Sequence, residues 1–254
     1  MSKICVIYGI LRQMTSITKK GDLKITLDFC LEQYRAKGMS AFISAFQSNI
    51  LACKIRFPLL EYCAEEMYVS FEDEVHIAIC DRIAPLKTIG GNVILGILLK
   101  KRLANHFEES ISKAADYIVV GDEWFCSDII GERVQGNAIL LYPKKALPAL
   151  WALAKHDSNW VVRSIGAACH LATKRGLKKT VAINVFELLL HLGGSKDYQI
   201  QRGIGWAAKT MAKFHPDIIT QYSEKIQAED IGNWFRRKVN IGLERYRYGQ
   251  GEGG

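Results

Sequence analysis

What this chain of 254 residues lacks bounds what it does. Its seven cysteines stand at positions 5, 30, 53, 63, 80, 126 and 169, an odd number with no C-x-x-C pair. That pattern argues against a disulfide frame and the usual zinc spacings; it reads as small core residues in a reducing compartment. The six histidines form no H-x-x-x-H pair and join no carboxylate cluster, so no metal is expected. No G-x-S-x-G, S-x-x-K or Walker sequence is present, and no cofactor is implied. The longest apolar run, Val93–Leu99, stops at Lys100-Lys101-Arg102, well short of a membrane span. At the N-terminus a lysine and a brief apolar run lack a cleavage site. The expectation is a cytoplasmic chain that neither crosses nor enters a membrane.

What is present is an ordinary globular balance, 49% apolar and 24% charged, with an uneven distribution of charge. Residues 1–143 carry 16 Lys and Arg against 17 Asp and Glu, whereas residues 144–254 carry 18 against 9. All the excess positive charge lies in the second half. A basic half on a near-neutral partner fits a polyanion, most often nucleic acid, and equally a solvated basic face.

The basic half also holds an internal repeat. In Tyr198–Pro216, residues Ile200, Ile204, Ala207, Ala208 and Met211 recur at helical steps, and His215-Pro216 closes the helix. Arg202-Gly-Ile-Gly-Trp-Ala echoes Arg163-Ser-Ile-Gly-Ala-Ala at an offset of 39, and Asn159-Trp160-x-x-Arg163 recurs as Asn233-Trp234-x-x-Arg237. A mostly helical unit of 35–40 residues is the spacing of HEAT or armadillo arrays. The expected fold is all-α, an α-solenoid of HEAT-like antiparallel helix pairs with a concave face. A single domain over residues 1–248 and a disordered glycine-rich tail over 249–254 complete the expected organisation.

Along the chain, residues 1–60 read as two or three helices with Ile25, Leu27, Cys30, Leu31 and Tyr34 on one apolar face. Gly21-Asp22 and Lys37-Gly38 are the expected breaks. Helices follow at 57–68, 73–89 with an interruption at Pro85, and 93–103 after a Gly90-Gly91 turn. Further pairs are expected at 108–119 with 122–133, 143–153 with 157–174, 181–192 with 197–214, and 216–228 with 230–246. Tyr117-Ile-Val-Val-Gly-Asp122 has strand-like residues, but with no comparable partner strand it is assigned to a helix end. Gly203-x-Gly205-x-x-Ala208 matches a dinucleotide fingerprint on paper; its polar, helical approach argues instead for close helix packing.

Any chemistry must therefore come from dispersed residues. Trp124 and Asp128 are one helical turn apart; Arg163 follows Trp124 by 39 residues, and Trp206 follows Arg163 by 43. In a solenoid, such steps make distant residues neighbours on one wall. The residues by themselves equally allow core tryptophans, a solvated Asp128 and a surface ion pair for Arg163.

Three segments carry a family resemblance: DEWFCSD (Asp122–Asp128), NWVVRS (Asn159–Ser164) and YQIQRGIGWAAKTMAKFHPD (Tyr198–Asp217). Across residues 110–245 the chain resembles the AlkD-type DNA alkylation repair glycosylases, which are HEAT-like repeat proteins. The resemblance implies an active-site tryptophan and aspartate at Trp124 and Asp128, a phosphate-contacting arginine at Arg163, and a second indole at Trp206. Phe125, and Ala168 with Cys169, depart locally from that pattern, which bears on lesion preference.

The implied reaction suits these residue types. An alkylated purine is cationic and leaves readily, while the sugar passes through an oxocarbenium-like state that a carboxylate stabilises. Asp128 is expected in that role, also positioning water. Each indole attracts cationic groups by about 0.5–2 kcal/mol, which suits Trp124 and Trp206. Arg163, Lys174, Arg202 and Arg237 are expected to hold phosphates. The resemblance further implies capture of the backbone without a base pocket. The expected enzyme is a monofunctional glycosylase, monomeric, acting on double-stranded DNA that contains alkylated bases; no lysine is nominated for lyase chemistry. A non-catalytic DNA-binding protein for damaged or branched DNA, and a protein-interaction scaffold, are the alternatives.

Overall fold

Apolar residues at three- and four-residue steps run through the chain, and the structure, a computed structural model, answers them with helices. It describes residues 16–250. They fall into two compact units divided between Cys63 and Ala64.

In the first unit, β1 (Ser16–Ile17) pairs in parallel with β2 (Lys54–Ile55), flanking α1 (Lys20–Lys37) and α2 (Met39–Phe46). A π-helical turn over Gln47–Leu51 extends α2. Gly38 separates the two helices at a φ of 79°, which L side chains rarely adopt, so the Lys37-Gly38 break is where the sequence places it. Gly21 and Asp22 break nothing: they lie in the first turn of α1, because Lys19 supplies the extended residue that starts it. Nor is Ile25 part of the apolar face, being 71% exposed. Leu23, Leu27, Cys30 and Leu31 form the buried stripe, and Ile25 falls on the far side of the helix from Leu23 and Leu27.

Helix α3 (Phe57–Ser70) begins in the first unit and ends in the second. There follow α4 (Asp73–Ile83), a 3-10 turn at Pro85, and α5 (Ile89–Arg102). The Gly90-Gly91 pair is the first turn of α5 and not a preceding loop, because Thr88 caps it by accepting from the Gly91 amide at 3.0 Å. Val93–Leu99 is buried throughout, as its composition predicts. Helix α6 (Phe107–Gly121) absorbs the strand-like Tyr117–Gly121 and stops at Asp122, whose φ is 52°.

The chain continues as α7 (Trp124–Arg133), α8 (Gln135–Leu141), α9 (Pro143–Leu153) and α10 (Asn159–Lys174). Beyond these lie α11 (Lys179–His191) and α12 (Tyr198–Phe214). The single helix expected over 216–228 is two, α13 (Pro216–Gln221) and α14 (Ser223–Gln227), and α15 (Asn233–Gly249) ends the described chain. Gly249 is thus still helical, and residues 251–254 lie outside the described ones.

The fold is all-α and solenoid-like. Within the second unit α5, α7, α10, α12 and α15 pack in succession as one row, and α6, α9, α11 and α13 each pack against members of that row. The repeat is visible in the bonds between layers. Trp160 Nε1 donates to Asp122 Oδ1 across 38 residues, Trp234 Nε1 to the Ser195 carbonyl across 39, and Asn159 to Asp197 across 38. The Asn-Trp echo is therefore a tie between neighbouring layers. Gly203, half of the paper fingerprint, sits against the Arg163 backbone, so the small residues serve helix packing. Of the cysteines, 30, 63, 80, 126 and 169 are buried and Cys53 is partly so; burial pushes the Cys169 thiol up to about 12.

Candidate functional site

Four helices of that row, α7, α10, α12 and α15, line a cleft of about 540 Å³. Helix α7 contributes Trp124 at its first position and Asp128 one turn later; α10 contributes Arg163. From α12 come Tyr198, Gln199, Arg202, Trp206 and Lys209, and from α15 Lys238. The sequence places Trp124, Asp128, Arg163 and Trp206 on one wall, and the fold brings all four to one cleft.

At its centre is a two-point ion pair. Arg163 Nε donates to Asp128 Oδ1 at 2.9 Å and Nη2 donates to Oδ2 at 2.8 Å. Arg163 Nη1 donates to Gln199 Oε1 at 3.0 Å, so one guanidinium ties α7, α10 and α12 together. The pair is largely buried, with side-chain exposures of 10% for Arg163 and 16% for Asp128. This geometry fixes both planes, which a lysine could not do. These bonds use three of the five N–H groups of Arg163.

The indoles are held differently. Trp124 is 54% exposed and packs T-shaped with Phe125, with ring centroids 5.9 Å apart. Trp206 is backed by His170, whose ring stacks on it at a centroid distance of 3.9 Å. His170 Nδ1 is in turn 2.7 Å from Thr210 Oγ1, and Thr210 donates to the Trp206 carbonyl. Burial first, then Lys174 and Lys209, lower the His170 pKa from 6.5 to about 4, so a neutral ring supports the indole. The unfolded chain takes up this proton near pH 6.5, so the stability it withholds is lost as pH falls from there toward 4. Between pH 7 and 5 the wild type should lose about 1–2 kcal/mol more than His170→Gln, read from denaturant unfolding at each pH.

The cations are the part that the sequence places least well. Arg202 lines the cleft, but Lys174 and Arg237 do not. Lys174 is exposed in the last turn of α10, about 16 Å along the axis from Arg163 at 1.5 Å per residue. Arg237 is exposed on α15 and turned roughly 100° away from its neighbour Lys238, which does line the cleft. Tyr198, Gln199, Lys209 and Lys238 are the lining residues missed. The repeat carried a signal for two of them, since Gln199 follows Arg163 by 36 residues and Lys238 follows Arg202 by the same step. Tyr198, 64% exposed at the cleft, and His170 had no such signal.

Among the described residues no group of His, Cys, Asp and Glu is arranged to hold a metal, and no helix is long and apolar enough to cross a membrane. What the cleft offers is a carboxylate, an aromatic wall on two sides and an excess of fixed positive charge. No curated protein and no solved structure gives a significant match to the chain. The model of one family, described as DNA alkylation repair enzyme, matches residues 90–238, well over half of the sequence and every residue of the cleft. The chain belongs to the DNA alkylation repair enzyme family.

Proposed function

We propose that the chain is a DNA glycosylase that hydrolyses the N-glycosidic bond of cationic alkylpurines, such as 3-methyladenine and 7-methylguanine, in double-stranded DNA. The observation that carries this reading is the buried Asp128–Arg163 pair sharing a basic cleft with the Trp124 and Trp206 indoles. As the bond breaks, its electrons leave with the purine and cancel the base's positive charge. Positive charge then builds on the sugar, where the Asp128 carboxylate stabilises it, receives the proton of the attacking water and directs that water to C1′. The indole faces favour the cationic base and the developing sugar cation. Arg163 orients Asp128 through two bonds and offers its remaining N–H groups to a flanking phosphate.

The proposal has HEAT-like layers present this wall to the duplex as a monomer in the cytoplasm. It is tested by incubating the protein with methylated duplex DNA and measuring free methylpurine in solution. Binding should weaken steeply with salt, because phosphate contacts release counterions. Arg202→Ala and Lys238→Ala should each lower the slope of log K against log salt by about 1, whatever the DNA sequence. Fluorescence anisotropy titrations at several salt concentrations measure this directly.

A further inference from the structure

The support behind Trp206 lies outside the cleft, since neither His170 nor Thr210 lines it. His170 is buried on α10 one turn beyond Gly166, and Trp206 stands three residues beyond Gly203 on α12. Those glycines bring the two backbones together, so the imidazole reaches the indole. It lies against the indole at a centroid distance of 3.9 Å, with 25° between the planes. A hydrogen-bonded chain adds a second restraint. Thr210 gives its hydroxyl proton to the Trp206 carbonyl at 3.0 Å, so the 2.7 Å contact between His170 Nδ1 and Thr210 Oγ1 requires the proton on Nδ1. The imidazole is thus stacked on the Trp206 side chain and tied, through one hydroxyl, to the Trp206 backbone. With one indole face covered, the opposite face is what Trp206 can offer a cation in the cleft. Burial, then Lys174 and Lys209, keep the covering ring neutral. A charged ring would itself take up the indole's attraction for cations and repel a second one.

We propose that His170 is a positioning residue that fixes the Trp206 indole with its free face toward the cationic sugar, so that the cleft prefers a charged sugar over a neutral one. The inference deepens the glycosylase reading and rests on it for the identity of the cation. His170 acts through Trp206 and not on the substrate. A tryptophan side chain turns about two torsions, and an indole attracts a cation only when its face is aimed at the charge within about 6 Å. The stack removes that freedom before DNA arrives, so none of the attraction is spent on ordering the ring.

The test needs no turnover. Two duplexes are compared, one carrying a cationic pyrrolidine in place of a single deoxyribose and one carrying the neutral tetrahydrofuran. The ratio of their Kd values is read by fluorescence anisotropy with the whole chain. The wild type should bind the cation at least about tenfold more tightly. His170→Gln keeps a donor for Thr210 but removes the ring, and should lower that ratio at least about threefold, with His170→Leu as a second ringless variant. His170→Phe loses the donor but keeps a neutral ring, and should hold the ratio within about twofold of the wild type. In a Trp206→Ala background, His170→Gln should change the ratio by less than about 1.5-fold, which a general loosening of the fold would not reproduce. A wild type that does not distinguish the two duplexes would overturn the proposal. So would ringless variants with the wild-type ratio, a His170→Phe ratio as low as theirs, or an equal loss with and without Trp206. Failure to release methylpurines with these ratios intact would count against the glycosylase reading alone.

Discussion

Gly166→Ala is expected to destabilise the protein by about 3 kcal/mol, the upper end of what overpacking costs, and to lower its activity with it. An added Cβ would lie 2.1 Å from the Gly203 carbonyl carbon and 2.6 Å from the Ile204 nitrogen. These are backbone atoms of α12, so no side chain can rotate away. The reverse contact is as close: a Cβ on Gly203 would meet the Arg163 carbonyl oxygen at 2.4 Å. Helices α10 and α12 therefore touch backbone to backbone at the level of the cleft. Alanine favours a helix over glycine by about 1 kcal/mol, which is too little to offset separating the two helices. Separation would also lengthen the Arg163–Gln199 bond and carry Trp206 away from Asp128. Thermal unfolding with an activity assay on the same samples checks both effects. Gly21→Ala is the control, because its Cβ would meet nothing within 4 Å.

Arg163→Leu should be the second most damaging change. It removes three hydrogen bonds and leaves the Asp128 carboxylate, only 16% exposed, without its partner. Breaking a buried pair from one side costs about 3–5 kcal/mol, and the residual exposure here brings the expectation to roughly 2–3. Arg163→Lys keeps the charge and loses the two-point geometry, so it should recover part of the stability and little of the activity. Asp128→Asn combined with Arg163→Leu should be less destabilised than the sum of the single changes, since no charge is then stranded. Urea unfolding of the four proteins closes that cycle.

How far the residues foretold this site follows from what each type of signal encodes. Helices with strong three- and four-residue periodicity, such as α10 and α12, stand close to where the sequence puts them. Their layer spacing is legible because the Asn-Trp and Arg-x-Ile-Gly echoes are physical ties and contacts that must recur in each layer. Repeat spacing groups Trp124, Asp128, Arg163 and Trp206, and the family resemblance gives them their roles. Their convergence needed the helix row, but not its fine rotation.

The cations needed that rotation. Lys174 and Arg237 sit in the right helices, but one is too far along the axis and the other is turned past the cleft edge. One residue of rotation separates Arg237 from Lys238, and composition carries no information on it. His170 was hidden for another reason. A histidine in an apolar helix reads as core, and its stacking on Trp206 depends on how closely α10 and α12 approach. In the first unit, Ile25 shows the same limit, because several registers of an apolar stripe fit one helix.

The central claim is that a carboxylate in this cleft carries base excision. The most direct measurement is release of free 3-methyladenine and 7-methylguanine from methylated duplex DNA by the wild type and by Asp128→Asn. Asparagine keeps the shape of the side chain and an acceptor for Arg163 while removing the charge that faces the sugar. The account predicts release by the wild type, at least about tenfold slower release by the variant, and DNA binding retained in both. A folded wild type that binds DNA and releases neither base, or a variant that releases them at the wild-type rate, would contradict it.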